Sequence, residues 1–218
     1  MRKYKAVATF LLATSFIFSS IARPLGAEIS EITGSGESYE LRIEGTINVK
    51  DLEKLGKAII FFSLFNPHAH LTILVNSHGG SVSDGGAFDQ AKILEQLDQP
   101  SALGELARLF YSASIEVRSG SDCASACVLL LLAIRDRTVE GEATVGVHRA
   151  GYVTEKGEVI ENDHTFQVDR RIADFYRKHG MPEDVVQHML STPPSGMYDL
   201  TLDEMNRSGI KLRKASNP

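Results

Sequence analysis

The feature that most constrains this chain is segment 120–127, Gly-Ser-Asp-Cys-Ala-Ser-Ala-Cys, which runs directly into the apolar segment 128–133. It places the Ser125 hydroxyl among small residues at the start of a predicted buried helix, which is too short to span a membrane. Helix-start N–H groups and the positive end of the helix dipole favour a nucleophile and a developing oxyanion there. Taken alone, such a serine is more often a packing residue or a helix N-cap.

The composition fits one globular domain with a real core. The chain has 218 residues, of which 43% are hydrophobic and 23% charged, and its formal net charge is −5. The first 27 residues contain basic but no acidic side chains, so the remainder is more acidic than the whole. An acidic chain argues against a nucleic-acid partner, because phosphates require basic patches.

The N-terminus has the pattern of a secretory signal peptide. Arg2, Lys3 and Lys5 precede a short apolar segment that small and polar residues interrupt. We expect cleavage after Ala27, leaving one mature domain of residues 28–218, exported to the periplasm or secreted. The alternative is an uncleaved N-terminal membrane anchor, for which the apolar segment is marginal in length.

Alternating strand and helix patterns predict a parallel α/β fold. Segments 39–45 and 71–75 have strand patterns, and segment 49–62 between them carries apolar residues at helical spacing. A further helix is predicted through segment 87–97. This order favours a right-handed parallel arrangement.

Two glycines, Gly79 and Gly80, follow the second predicted strand directly. They permit backbone angles closed to other residues and leave an N–H accessible to an incoming ligand. A plain tight turn is the alternative.

The second half of the chain adds a candidate base and further helices. Segment 102–118 is predicted as an additional helix that runs into a strand at 115–117. Segment 144–148 is a short strand that ends at His148, whose imidazole titrates in the range that a general base needs. An apolar stripe at helical spacing follows in segment 168–176.

Cys123 and Cys127 lie four residues apart, a spacing that puts them on one face of a helix. A disulfide at this spacing would strain a regular helix. We therefore expect two small, buried, reduced residues, with an oxidised pair across the helix start as the alternative in an oxidising compartment. Neither a metal nor a nucleotide cofactor is implied.

The order of these motifs resembles a known family. A strand ending in Asn-Ser-x-Gly-Gly-Ser-Val at 76–82, a helix, Ser125 before an apolar helix, and a strand ending at His148 are similar to the proteolytic subunit of the Clp protease. More broadly the chain resembles the ClpP/crotonase superfamily, and within it secreted, stand-alone Clp-like bacterial proteins. The likeness spans about 39–210. It implies a ClpP/crotonase-like β-β-α superhelix with a handle-like helical extension after the histidine.

The resemblance assigns roles to site residues. It implies that Ser125 is the nucleophile, that His148 is the base, and that the Gly80 and Ala126 N–H groups form the oxyanion hole. Gly79 and Ser81 would then contact substrate. His78 stands where the Clp subunit usually has proline, and we expect it to be a surface residue.

The third member of the triad is the main departure from the family. Met197 occupies the position of the family's acid. Asp199, two residues on, would point to the same side of an extended segment, so it is the candidate acid. Asp169 is a poorer candidate, because its predicted handle helix would hold it away from the strand ends. The remaining alternative is a Ser125–His148 dyad oriented by a backbone carbonyl or water.

These features predict an exported Clp-like serine hydrolase, a peptidase acting on peptides or proteins. The resemblance also implies a homo-oligomer, and export implies that no ATP-driven unfoldase takes part. The alternative is a catalytically silent Clp-fold binding or scaffold protein. Crotonase-like acyl-thioester chemistry would need the oxyanion hole but neither Ser125 nor His148. Serine–lysine chemistry is less favoured, since no lysine occupies a matched position.

Overall fold

The computed structural model of the chain describes residues 26–66, 68–81, 113–154, 156 and 158–214. The signal peptide predicted over 1–27 lies almost wholly outside the described residues. So do the helix predicted at 87–97 and most of the helix predicted at 102–118.

Strands and helices alternate along the described chain. The strands are β1 (Glu28–Ile29), β2 (Thr33–Ser35), β3 (Ser38–Glu44), β4 (His70–Asn76), β5 (Ala113–Val117), β6 (Asp122–Ala124), β7 (Asp136–Glu140), β8 (Thr144–Val147), β9 (Tyr152–Val153), β10 (Val159–Ile160), β11 (Tyr198–Asp199) and β12 (Lys211–Arg213). The helices are α1 (Val49–Phe65), α2 (Ala126–Ala133), α3 (Asp163–Lys178), α4 (Glu183–Ser191) and α5 (Leu202–Arg207). In this part of the chain, no helix has the length and apolar character needed to cross a membrane.

The main sheet is parallel through its centre, as the sequence predicts. Strands β3, β4, β5, β7 and β12 lie side by side and parallel, and β1 and β2 pair antiparallel with β3 at one edge. Central strands buried on both faces carry near-continuous apolar runs, which explains why β4 reads as a short apolar segment.

A smaller sheet carries the residues of interest. In it β8 lies between β6, which is parallel to it, and β11, which is antiparallel. Because β6 and β8 are parallel neighbours, the residues that follow their carboxyl ends emerge at the same edge. Those residues are Ser125 and His148.

Helix α2 forms the centre of the core. Its residues from Ala126 to Leu132 are all buried, which accounts for its continuous apolar sequence. At its C-terminal end, the buried guanidinium of Arg137 donates to the carbonyls of Leu132 (2.8 Å), His179 (3.1 Å) and Ser208 (2.7 Å). A single cation thus satisfies carbonyls at the ends of α2, α3 and α5, where helix dipoles favour positive charge.

The apolar stripe of α3 does not form an assembly surface. Its members are all buried against the chain's own core: Val168, Ile172, Phe175 and Tyr176. The stripe is therefore the core-facing side of an amphipathic helix that packs on its own domain. The exposed apolar side chains of this region lie instead on the β9–β10 hairpin and the first turn of α3: Tyr152, Val159, Ile160 and Phe166.

Candidate active site

Ser125 lies at a sharp turn between β6 and α2. Its backbone angles are φ 54° and ψ −120°, and it is the one non-glycine residue of the described chain with a positive φ. Its N–H donates to the Gly146 carbonyl at 2.9 Å. Its side chain makes no capping hydrogen bond, although it occupies the N-cap position. The N-cap interpretation therefore does not explain the hydroxyl, and a non-glycine residue held in such a conformation is typical of functional sites.

A disulfide joins Cys123 to Cys127 and encloses Ser125. The expectation of two reduced cysteines is wrong, because it placed both residues on one helix. Cys123 instead lies in β6 and α2 begins only at Ala126, so the pair spans a strand-to-helix turn with 5.2 Å between the Cα atoms. That separation lies within the ordinary range for a disulfide.

Gly79 packs directly against the serine. A Cβ added to Gly79 would lie 2.6 Å from the Ser125 Cβ and 3.2 Å from its Oγ. Gly79 also has a φ of 106°, which a side chain would strain. The first glycine of the pair is therefore required by close approach of the backbone to Ser125, and not only by a turn.

The loop after β4 is fixed to the strand that carries the serine. The Ser77 N–H donates to the Asp122 carbonyl (2.7 Å), and the Ala124 N–H donates to the Ser77 carbonyl (2.9 Å). The buried Ser77 hydroxyl accepts from the Gly79 N–H at 3.1 Å. These bonds hold the glycine pair beside the turn that carries Ser125.

The backbone N–H groups of Gly80 and Ala126, near the serine, donate to no acceptor in the described part of the chain. The Ile47 N–H donates to the Gly79 carbonyl and the Ser81 N–H donates to the Ile47 carbonyl, which directs the Gly80 N–H away from Ile47. Ala126 is the first residue of α2, where an N–H has no partner within the helix. No described residue accepts from the Gly80 N–H. Both groups suit the oxyanion-hole roles expected from the sequence.

His148 follows β8 at the same edge as Ser125. Its side chain is half-buried, and its Nδ1 is buried without a hydrogen-bond partner in the described part of the chain. Burial lowers the pKa of the His148 imidazole, and the Arg149 backbone opposes this effect. Burial thus favours the neutral ring, which is the form that a general base needs. Among the described residues no hydrogen bond joins Ser125 Oγ to the His148 ring.

Met197 and His148 each lie one residue beyond the paired ends of β11 and β8. Tyr198 pairs with Val147 and Asp199 with Gly146, so the same register places Met197 opposite His148. A Cβ added to Gly146 would lie 2.7 Å from Met197 Sδ and 3.0 Å from Asp199 Oδ1. Met197 and Asp199 therefore share a side, as the sequence predicts, but Asp199 lies two residues further from His148 along the strand.

Tyr198, which the sequence analysis did not single out, anchors β11 from the other face. Its ring stacks on His188 with 4.1 Å between centroids. Its hydroxyl donates to the buried Glu204 at 2.8 Å, and Glu204 also accepts from the Thr201 N–H at the start of α5. The spacing Thr-x-x-Glu at 201–204 is a capping-box pattern that could have indicated this anchor.

Asp169 lies closer to the site than its sequence position suggests. It is on α3 as predicted, but only 2% of its surface is exposed, and its Oδ1 accepts from the Ala150 N–H at 2.6 Å. Ala150 is two residues beyond His148. The expectation that the handle helix would hold Asp169 away from the strand ends is therefore wrong, because α3 packs back onto the segment that leaves β8.

The remaining predicted residues are at the surface. The His78 side chain is 86% exposed and lies 3.5 Å from an Asp122 oxygen, which confirms it as a surface residue. Ser81 is exposed, and its N–H donates to the Ile47 carbonyl.

Comparisons with known proteins identify the fold. No family model matches the chain, and no curated protein matches it significantly. A mutant of the 1510-N membrane-bound stomatin-specific protease is similar to it with a TM-score of 0.58, at 15% identity over 84% of this chain and 81% of that chain. Another mutant of that protease, in complex with a substrate peptide, gives 0.55 at 18% identity over 80% of this chain and 73% of that chain. A mutant of ClpP1 from Listeria monocytogenes gives 0.49 at 17% identity over 80% of this chain and 91% of that chain.

At these identities the likeness concerns the fold. The chain has the ClpP/crotonase-like fold that its motifs predict, with a parallel sheet and flanking helices. Both 1510-N structures are of a membrane-bound stomatin-specific protease.

Proposed function

We propose that this chain is an exported Clp-like serine hydrolase, a peptidase, with Ser125 as nucleophile and His148 as base. The observation that carries the proposal is the turn at Ser125. At this turn Ser125 has a positive φ, its hydroxyl makes no capping hydrogen bond, and Gly79 packs against its side chain. The turn also lies at the sheet edge where His148 follows the neighbouring parallel strand.

The reaction follows from this arrangement. Ser125 Oγ attacks the carbonyl carbon of a peptide bond, and its proton passes to His148 Nε2. The carbonyl oxygen takes up the electron pair as an oxyanion, to which the Gly80 and Ala126 N–H groups donate. Collapse of this intermediate breaks the C–N bond, and His148 returns the proton to the leaving amine. Water then hydrolyses the acyl-enzyme by the same route. Gly79 and Ser81 border the position of the substrate backbone.

Hydrolysis of peptides tests this proposal directly. The mature protein is incubated with a peptide library and with denatured casein, and the products are identified by mass spectrometry. Cleavage by wild type should be absent in Ser125→Ala and in His148→Ala. The exposed histidine supplies a matched control, so His78→Ala should retain wild-type turnover.

A catalytically silent binding protein is the second candidate function. It is favoured by Met197 at the position of the family's acid, since a thioether cannot hold an imidazole by charge. Binding of library peptides without cleavage, equally tight in wild type and Ser125→Ala, would support it. Cleavage that persists in Ser125→Ala would contradict both candidates.

Assembly into a homo-oligomer is part of the proposal. The exposed Tyr152, Val159, Ile160 and Phe166 all belong to the segment after the histidine, the region that forms the handle in the Clp subunit. Contacts between unlike surfaces of identical chains close into rings, so a trimer, hexamer or heptamer is expected. Light scattering should show the oligomer at micromolar concentration, and a monomer at that concentration would contradict the proposed assembly.

Because the mature chain would be exported, no ATP-driven unfoldase is expected as partner.

A further inference from the structure

The group that orients His148 is missing from its usual place. A serine needs its base held in one tautomer, with Nδ1 protonated and Nε2 facing the hydroxyl. Met197 occupies the strand position opposite His148, and Asp199 lies opposite Gly146 and is exposed. The sequence leaves two alternatives open, a Ser125–His148 dyad and Asp199 as the acid, but neither accounts for a buried carboxylate that lies just beyond the end of β8.

That carboxylate belongs to Asp169. Its Oδ1 is fixed by the Ala150 N–H at 2.6 Å. The Cα atoms of Ala150 and His148 can be at most about 7.6 Å apart, because consecutive Cα atoms are separated by about 3.8 Å. The carboxylate is thus held just beyond the end of β8, on the backbone of a residue two positions from His148.

Two complementary polar atoms are left without partners in this region. His148 Nδ1 and Asp169 Oδ2 are both buried, and neither has a hydrogen-bond partner among the described residues. Burying an unsatisfied polar atom is costly, and native proteins leave few of them. One atom can carry a proton and the other is an acceptor, so each supplies what the other lacks.

We propose that Asp169 is the positioning residue for His148, with its Oδ2 accepting a hydrogen bond from the Nδ1–H of the imidazole. The inference rests on the proposed function of Ser125 and His148. The two side chains are not bonded to each other in this structure, so the bond forms by rotation about their side-chain torsions. Catalytic hydrogen bonds are often long or poorly aligned until substrate binds.

Arg149 is the rival partner for Asp169. Its Nε is also buried without a partner, and its charge acts on the Asp169 carboxyl. However, Arg149 already has a carboxylate partner, since its Nη2 lies 2.7 Å from Glu161 Oε1. His148 has no carboxylate partner in the described part of the chain. Either pairing would satisfy two of the three unpaired atoms, but only the pairing with His148 supplies a carboxylate to a side chain that has none.

The charged groups around the histidine set the direction of its pH dependence. They are Asp169 on α3, Arg149 and Glu161 in the loops beside it, and Asp199 on β11. Burial raises the pKa of Asp169, the Ala150 N–H and Arg149 oppose this, and Glu161 adds to it. When its carboxylate is ionised and accepts from the His148 Nδ1–H, Asp169 stabilises the imidazolium and raises the pKa of His148 above the value that burial alone would give. The neutral ring is the active base, so activity rises as pH increases through that pKa.

The test compares two aspartate variants in the mature protein. The second-order rate of labelling by a fluorophosphonate is measured from pH 5 to 9 for wild type, Asp169→Asn and Asp199→Asn, with circular dichroism as the check on folding. We expect Asp169→Asn to reduce the rate by about 10²–10⁴-fold. Its inflection should move to lower pH, because the carboxylate that stabilised the imidazolium is gone. Asp199→Asn should match wild type.

Two results would overturn the proposal. One is a folded Asp169→Asn variant with an unchanged rate and pH profile. The other is a loss of rate that follows only the unfolded fraction, which would assign Asp169 a structural pairing with Arg149.

A measurement on wild type needs no variant to fold. ¹⁵N NMR of histidine-labelled protein should show the neutral His148 ring protonated on Nδ1, and an Nε2-protonated ring would contradict the pairing. This readout also separates the two proposals. If wild type is not labelled but His148 is protonated on Nδ1, the hydrolase proposal fails and the pairing stands.

Discussion

Cys123 and Cys127 form a disulfide that encloses Ser125, with one cysteine in β6 and the other in the first turn of α2. Both sulfur-bearing side chains are fully buried. The covalent link therefore joins the two elements between which the serine adopts its positive φ, and it stabilises the turn that presents the hydroxyl.

Removing this link should loosen the site. We expect the Cys123→Ala/Cys127→Ala double variant to lose about 2 kcal/mol of unfolding free energy, the loop-entropy value for so short a loop. Labelling of Ser125 should slow as well, because the strained turn can relax. Urea denaturation and labelling rates measure the two effects, and reductant should reproduce both in wild type but not in the double variant. Equal stability and rate with and without the disulfide would contradict this role.

Gly79 should tolerate no side chain. Gly79→Ala would place a methyl group 2.6 Å from the Ser125 Cβ, so the loop or the serine must move. We expect peptide cleavage to fall by more than about 100-fold, since misplacing a reacting group by about 1 Å has an effect of this size. Gly36→Ala is the matched control, because Gly36 also has a positive φ (65°) but nothing within 4 Å. That variant should keep wild-type activity; equal losses in both would point to backbone strain rather than contact with Ser125.

Arg137 should be a major determinant of stability. Arg137→Met leaves the Leu132, His179 and Ser208 carbonyls without this donor, and each buried unpaired group costs about 1–3 kcal/mol. We expect a loss of about 3 kcal/mol in unfolding free energy, measured by urea denaturation. Arg137→Lys should recover only part of it, since an ammonium lacks the planar fork that reaches several carbonyls at once. The exposed Arg170→Met is the control, and a similar loss there would contradict the assignment.

Export should leave a chain that begins near Glu28. The basic start and short apolar segment at 1–22 predict cleavage after Ala27. Glu28 and Ile29 then form β1 at the edge of the main sheet. Intact mass of periplasmic material should give residues 28–218, and Ala27→Arg should block cleavage, because the processing site requires a small residue. A full-length wild-type chain in the cytosol would contradict export.

Local sequence patterns predict the strands and helices better than they predict the contacts between them. Alternation located β3 within one residue at each end, and helical spacing located α1, because these periodicities arise within single elements. The disulfide is only the alternative expectation from the sequence, because the apolar run does not show that α2 begins only at Ala126. The position of Asp169 was missed because it depends on how α3 folds back onto the chain after β8. Such long-range packing leaves no local pattern.

The most direct test of the account is whether Ser125 is an activated nucleophile. Mature wild-type protein is treated with a fluorophosphonate, and the adduct is located by peptide mass mapping. We predict one adduct per chain, on Ser125, that is absent in Ser125→Ala, nearly absent in His148→Ala, and retained in the neighbouring control Ser121→Ala. No adduct on wild type, or an adduct that persists in Ser125→Ala, would contradict the account.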